Sequence, residues 1–124
     1  MLKELTKAEE EIMQILWQIE SGVVWDVMEF LPEPMPAYNT VSTFIRILEQ
    51  KGFVGHRPLS GKTHTYFPII TKEQYREKEA NKLVSDYFEG SVKELVSFFV
   101  QEKNLNLADA DEIIRMIQES KQNQ

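Results

Sequence analysis

The chain has 124 residues, of which 42% are hydrophobic and 27% charged, and it carries a formal net charge of −6 and no cysteine. These values are typical of a globular protein with one moderate core or two small ones, and they exclude disulfides, a thiol redox switch and a cysteine-based zinc or copper site. Because no apolar run approaches the ~20 residues of a membrane span and the start lacks the order of a signal peptide, we expect a cytoplasmic protein without membrane insertion.

The amino-terminal part of the chain predicts two helices. Thr6 and Glu9 have the spacing of a capping box that begins the first helix, and Ser21 and Gly22 end it. Its buried side is marked by apolar residues at the helical period, namely Ala8, Ile12, Ile15, Leu16 and Ile19. A shorter helix follows, with apolar residues at Val24, Val27, Met28 and Leu31. Three prolines terminate it because proline lacks the amide donor: Pro32, Pro34 and Pro36.

Two tryptophans lie on these helices. Trp17 is close to the apolar stripe of the first helix, which favours a place in the core. Trp25 falls off the stripe of the second helix, so it would lie against a phosphate backbone or cover the proline turn.

A third helix is predicted to begin near Tyr38 and to have two different faces. Apolar residues recur at i, i+3, i+4 and i+7 and form a buried stripe: Val41, Phe44, Ile45 and Leu48. The other face carries short donors and acceptors and one guanidinium, from Asn39, Thr40, Ser42, Thr43 and Arg46. Such side chains reach base edges and phosphates without holding the helix out of the major groove. Gly52 is placed as the residue that ends the helix.

The next segment predicts a β-hairpin. Residues 53–57 and 63–67 have the composition of strands, and residues 58–62 join them. Arg57, Lys62 and His64 lie on this hairpin. Three helices followed by a hairpin is the order of a winged helix-turn-helix.

The charge distribution agrees with this prediction. Residues 37–68 hold four cationic side chains against one anionic, a net charge of +3, whereas residues 1–36 have −6 and residues 69–124 have −3. In this acidic chain, the net positive charge is therefore confined to the segment that would contact double-stranded DNA.

From residue 72 onward the pattern predicts three more helices and no strand. They cover about 72–88, 92–103 and a stretch from near Ala108, with Asn106 or Asp109 as the cap of the last. We predict a winged helix-turn-helix domain over 1–71 and a helical dimerisation domain over 72–124, so that the fold class is mainly α with a small β-hairpin. The residues predicted for dimerisation are Leu83, Tyr87, Phe88, Leu95, Val96, Phe99, Ile113, Ile114 and Ile117.

The oligomeric state follows from the amount of apolar surface. Three short helices with this much of it cannot all bury it against one another, so pairing with a second copy is expected. The alternative is that they pack on the winged helix as a monomer. Helix-turn-helix proteins commonly bind two half-sites about one helical turn apart, which favours the homodimer.

Other chemistry finds little support in the residues. His56 and His64 lie on opposite arms of the hairpin, but two histidines without a third ligand are more often surface residues, and we expect neither a metal nor a cofactor. There is no phosphate-binding glycine loop or nucleophile motif, so an enzyme is not expected. Two classes of function remain: a dimeric repressor that binds DNA, and a winged helix that contacts proteins or senses a small effector.

Four parts of the chain resemble one family, in order and with matching spacing. They are LTKAEEEIMQILW, NTVSTFIRILEQKGFV, the hairpin end from Tyr66 to Pro68 and the three-helix tail. Together they are similar to the BlaI/MecI penicillinase repressors. The resemblance implies a homodimeric winged-helix repressor on an inverted-repeat operator, with DNA contacts from Asn39, Thr40, Ser42, Thr43, Arg46, Arg57, Lys62 and His64. Asn39 stands where relatives can have a basic residue.

The resemblance also implies a route of derepression. In the family, a membrane sensor with a metalloprotease domain triggers cleavage between an asparagine and a phenylalanine in the dimerisation domain. The matching pair here is Phe98 and Phe99. Because Phe98 replaces the asparagine, either this cleavage does not apply or the protease has a different preference. The copper-responsive branch of the family uses a carboxy-terminal cysteine cluster, which this chain lacks.

Overall fold

The computed structural model describes residues 2–102 and 106–122, without the side chains of residues 117 and 120–122. The elements are α1 (Lys7–Ile19), α2 (Val24–Met28), α3 (Tyr38–Gln50), β1 (Val54–Ser60), β2 (Thr63–Pro68), α4 (Lys72–Tyr87), α5 (Val92–Glu102) and α6 (Leu107–Gln122). The predicted fold class, mainly helical with one antiparallel hairpin, is confirmed. Two compact units are present, residues 1–78 and 79–124. The domain boundary predicted between residues 71 and 72 stays a prediction.

The first unit has its core between α1, α2, α3 and the hairpin. The buried apolar residues are Ile12, Met13, Ile15, Leu16, Val24, Val27, Met28, Val41, Ile45, Leu48, Phe53, Val54, Tyr66 and Tyr75. They include most of the predicted helical stripes. Phe44, predicted in the stripe of α3, is only partly buried and packs at the edge of the core, because its position is displaced from the centre of that stripe.

The ends of the helices are set by local chemistry. The capping box of α1 is confirmed, since the Glu9 amide donates to Thr6 Oγ1 at 3.2 Å and the Thr6 amide donates to Glu9 Oε1 at 2.7 Å. After α3 the backbone turns at Gly52, whose φ of 85° is readily adopted only by glycine.

The hairpin differs from its prediction in the length of the first strand. β1 continues to Ser60, so the turn is made by Gly61 and Lys62 and not by residues 58–62. The pairing runs from Val54 opposite Pro68 to Ser60 opposite Thr63, with an irregularity between Pro58 and Ser60. Pro58 has no amide donor, but this bulge next to it allows the strand to continue.

A short bridge joins the hairpin to the region between α1 and α2. The Gly22 amide donates to the Tyr66 carbonyl at 3.0 Å, and the Tyr66 amide donates to the Gly22 carbonyl at 2.8 Å. This bridge places the start of α2 beside β2, which is the side of the hairpin that carries His64.

The start of α4 belongs to the core of the first unit. Tyr75 is buried, and its ring lies 5.7 Å from that of Trp17 and 5.8 Å from that of Phe53, measured between centroids. The Trp17 indole donates to the Ile70 carbonyl at 2.9 Å. The predicted core position of Trp17 is therefore correct to the extent that the ring is partly buried and packed against the core.

The second unit is formed by the rest of α4, α5 and α6. Serine and asparagine cap the last two helices, since the Glu94 amide donates to Ser91 Oγ at 3.1 Å and the Asp109 amide donates to Asn106 Oδ1 at 2.8 Å. Of the two caps predicted for α6, Asn106 is the one observed. Among the side chains described in residues 79–119, none is buried. In the described ranges, no helix has the length and apolarity needed to cross a bilayer.

Candidate nucleic-acid interface

The outward face of α3 is polar, as predicted. Asn39, Thr40, Thr43 and Arg46 are exposed, because the apolar stripe turns the opposite face into the core. The Thr43 hydroxyl donates to the Asn39 carbonyl at 2.8 Å, so it retains acceptor capacity toward a partner. Ser42 lies differently, with only 9% of its surface exposed.

A groove opens between α2, α3 and the hairpin and has a volume of about 360 Å³. It brings together four of the predicted DNA-contact residues: Ser42, Arg46, Lys62 and His64. Its other lining residues are Val23, Val24, Trp25, Tyr38, Thr63 and Tyr66. Two cationic side chains and no carboxylate therefore line it, which is the chemistry expected for an anionic partner.

The remaining predicted contacts lie outside this groove. Asn39, Thr40 and Thr43 are on the exposed face of α3, and Arg57 is on β1. The Arg57 guanidinium lies 4.7 Å from the centroid of the Phe67 ring, a cation–π contact that orients it on the hairpin. Phe67 itself lies over Gly55, where an added Cβ would be 3.0 Å from Phe67 Cζ.

Two aromatic residues of the groove were not among the predicted DNA contacts, although a place against a phosphate backbone was one of two alternatives for Trp25. Trp25 and Tyr38 form an exposed aromatic pair with ring centroids 5.1 Å apart. The position of Trp25 away from its helix stripe was a signal that the side chain has another role. Tyr38 gave no comparable signal, because it is spaced three residues before Val41 and seven before Ile45 and so fits the apolar stripe of α3.

The two histidines of the hairpin are neighbours in space. Their ring centroids are 4.6 Å apart, and the planes are inclined at 61°. His56 Nδ1 is hydrogen-bonded to the Glu49 carboxylate, whereas His64 Nδ1 is enclosed without a hydrogen-bond partner. Within the described ranges, no cluster of three or more histidine and acidic side chains is arranged to hold a metal ion.

The far end of α3 is held to α1 by an ion pair. Lys51 Nζ donates to Glu9 Oε1 at 2.8 Å and to the Glu4 carbonyl at 2.9 Å. Burial of the Glu9 carboxylate raises its pKa, but the hydrogen bonds from Lys51 and Thr6 outweigh burial, and the net result is a pKa below the ordinary value. This contact joins the carboxy-terminal end of α3 to the first turn of α1, in addition to the packing of the buried stripe of α3.

Two apolar grooves of the second unit are lined by seven of the nine predicted dimerisation residues. One, of about 530 Å³, is lined by Leu83, Tyr87, Phe88, Leu95, Phe98 and Phe99. The other, of about 460 Å³, is lined by Val92, Lys93, Val96, Ser97, Val100, Gln101 and Ile114. Ile113 is partly buried, and the side chain of Ile117 is outside the described residues. Leu107 and Met116 are large exposed apolar residues that the prediction did not include.

Residues 5–119 match the model of the penicillinase repressor family. The chain belongs to this family. Its members are DNA-binding transcriptional repressors and not enzymes, so the family resemblance and the non-enzymatic class predicted from the sequence are confirmed.

Individual relatives agree with this assignment. The penicillinase repressor of Bacillus licheniformis is 22% identical over 121 residues, which are 97% of this chain and 94% of that protein. A solved structure described as the complex structure of hsRosR-S1 has a TM-score of 0.51 at 21% identity and covers 96% of this chain and 93% of its own. The latter similarity supports the fold.

Proposed function

We propose that the chain represses transcription as a homodimer on an inverted-repeat operator. Each α3 would enter the major groove of one half-site, with Asn39, Thr40, Thr43 and Arg46 toward base edges and phosphates. The hairpin, through Arg57 and Lys62, would lie against the backbone. The observation that carries this proposal is the exposed polar face of α3 directly beside a groove lined by cations and no carboxylate.

The electrostatics of the first unit support the same orientation. The positive net charge of residues 37–68 lies on α3 and the hairpin, while the remainder of the chain is acidic. Phosphate contacts release counterions, and the effect depends on local contacts and not on total charge. We therefore expect affinity to fall steeply with salt despite the net charge of −6.

The exposed apolar surface of the second unit supports dimerisation. None of its described side chains is buried, although α5 and α6 together expose several large apolar residues. Apolar patches of this kind are stable in water when another surface covers them. A second copy of the same unit would provide that surface, and two tethered winged helices would then reach two half-sites with a raised effective concentration.

For derepression, we propose that a cut between Phe98 and Phe99 would release the operator. The pair lies in the middle of α5, and the two residues are 38% and 42% exposed. Both rings belong to one aromatic cluster, with Phe98 5.7 Å from Phe88 and 5.4 Å from Phe99 between centroids. A cut here would divide this cluster, with Phe88 and Phe98 in one fragment and Phe99 in the other together with α6. A chain that ends at Phe98 should therefore be monomeric and bind the operator much more weakly, whereas equal affinity would contradict this route.

The central test is a gel-shift titration of the full chain against the promoter region of its own gene, with nonspecific duplex as competitor. We expect a discrete, competitor-resistant complex in the nanomolar range, as for specific DNA-binding proteins at roughly 10⁻⁸–10⁻¹¹ M. If only diffuse, competitor-sensitive binding is seen there and in a selection from random duplexes, the winged helix serves protein contacts or effector sensing instead.

A further inference from the structure

Trp25 and Tyr38 form an exposed aromatic pair that has no role in the base and phosphate contacts proposed above. Trp25 is 58% exposed and Tyr38 is 40% exposed, and their rings are 5.1 Å apart and inclined at 39°. Large aromatic side chains held exposed in a cleft usually mark a contact surface, because keeping them in water costs free energy. The pair lies between α2 and α3, at one wall of the groove already described.

Other lining residues of the groove have different chemistry. Arg46 from α3 and Lys62 from the hairpin turn supply positive charge, and Thr63 and Ser42 supply hydroxyl groups. The carboxylates of Asp26 on α2 and Glu49 on α3 are already engaged, since Asp26 accepts the Val23 amide at 3.0 Å and Glu49 is bonded to His56. A groove lined by aromatic rings, cations and hydroxyl groups suits a ligand unit that has both an apolar ring and an anionic group.

His64 adds a third feature to this groove. Its Nδ1 is buried without a hydrogen-bond partner. Either ring nitrogen of a histidine can donate or accept a hydrogen bond, depending on the tautomer, so the ring offers hydrogen-bonding capacity to a ligand group. It lines the groove together with Lys62 and Arg46.

From this arrangement, and resting on the proposed function, we infer that the groove binds one sugar–phosphate unit of the DNA backbone. The phosphate would lie between Arg46, Lys62 and His64, and the deoxyribose would lie against Trp25 and Tyr38. The groove, of about 360 Å³, is at the lower end of the range of about 300–1,000 Å³ for small-ligand sites, which is large enough for one such unit. Trp25 and Tyr38 are then positioning residues that set how deeply α3 enters the major groove.

A backbone contact makes a distinctive prediction. Sugar–phosphate contacts position the protein but do not read sequence, so loss of the aromatic wall should weaken operator and nonspecific duplex alike. A base-reading residue would instead lose specificity. The two kinds of residue are therefore separated by the ratio of the two affinities.

The first experiment uses the indole of Trp25 as the reporter. In the full chain carrying Trp17→Phe, Trp25 is the sole tryptophan, and titration with duplex should shift its emission and reduce its quenching by acrylamide. The matched chain carrying Trp25→Phe retains Trp17, whose indole is bonded inside the protein, and should show little change. An unchanged Trp25 signal under conditions where gel shift shows operator binding overturns the inference and leaves the repressor function standing.

The second experiment measures affinity. Trp25→Ala and Tyr38→Ala should each weaken operator and nonspecific duplex by about fivefold to tenfold, since each removes an aromatic side chain from a covered contact. Phe30→Ala is the matched control, because Phe30 is an equally exposed aromatic residue outside the groove, and it should bind like the parent chain. Parent-like affinity for both groove variants overturns the inference.

Two further outcomes would also overturn it. If a free deoxynucleoside monophosphate produces the Trp25 change at micromolar concentration, the groove is a site for a small effector and not for the DNA backbone. If the parent chain binds no duplex at all in the gel shift, the inference fails together with the proposed function. Thermal melting of each variant confirms that the comparison concerns folded protein.

Discussion

Lys51 Nζ lies 2.8 Å from Glu9 Oε1, so the residue that follows α3 is bonded to the first turn of α1. Glu9 is only 2% exposed and also closes the capping box with Thr6. One carboxylate therefore begins α1 and holds the carboxy-terminal end of α3. The polar face of α3 is presented in its observed direction partly because of this ion pair.

Glu9→Gln should lower the free energy of unfolding by about 1–3 kcal/mol near neutral pH, because it removes charged hydrogen bonds from a buried acceptor. The folded pKa of Glu9 is below its ordinary value of 4.5, so this stabilisation is complete above that value. It is lost as the pH falls through the folded pKa. Denaturant unfolding at several pH values should show the difference between parent and variant shrinking below about pH 4.5.

The matched control for this prediction is Glu11→Gln, which changes an exposed carboxylate of the same helix. It should leave the unfolding free energy within about 0.5 kcal/mol of the parent. A Glu9→Gln difference that stays constant from pH 7 to pH 3 would contradict the role given to the charged form.

Arg46→Ala should weaken specific operator binding by about 1–3 kcal/mol and leave dimerisation intact, because the side chain is exposed on the proposed DNA-facing side of α3. Gel-shift titration at fixed salt, together with sedimentation, measures both properties. Arg76→Ala removes the same charge from an exposed position on α4 and is the control. Unchanged operator affinity in Arg46→Ala would remove this residue from the interface.

Phe99→Asp should convert the protein to a monomer, since it places a charge in the apolar groove between the end of α4 and α5. Operator affinity should then fall at least about tenfold, because the second winged helix loses the effective concentration that the dimer supplies. Light scattering and gel shift give the two readouts. Phe30→Asp makes the same exchange at an exposed site of the first unit, and a dimeric Phe99→Asp protein would argue against the proposed surface.

Gly22→Ala should destabilise the first unit by about 1–3 kcal/mol, the usual cost of overpacking. An added Cβ would be 2.9 Å from Ile19 Cδ1 and 3.0 Å from Asp26 Oδ2, the oxygen that caps α2. Thermal unfolding measures the change, and Ser21→Ala, at the exposed neighbouring position, provides the comparison. Equal stability of the two variants would mean that α2 shifts without cost.

Much of the fold was predictable because its signals are local. The capping box at Thr6 and Glu9 and the helical stripe of α3 depend on residues a few positions apart, and both are present in the structure. The sequence did not predict that β1 continues to Ser60, because Pro58 and Ser60 are residue types that are common in loops. The bulge at Pro58 and Ser60 is a property of the paired strands and not of either one alone.

The features of the candidate site also separate into those that depend on local sequence and those that depend on tertiary packing. The sequence alone predicted the polar face of α3 and the cations of the hairpin, because composition and spacing along one helix or one hairpin determine them. The family resemblance also came from the sequence, through four parts of the chain that match in order. Only the tertiary structure decided that Trp25, Tyr38, Arg46 and Lys62 line one groove, and that Lys51 is bonded to Glu9. Those relationships join residues on different elements, and their distances are set by how α1, α2, α3 and the hairpin pack around a shared core, which no local periodicity encodes.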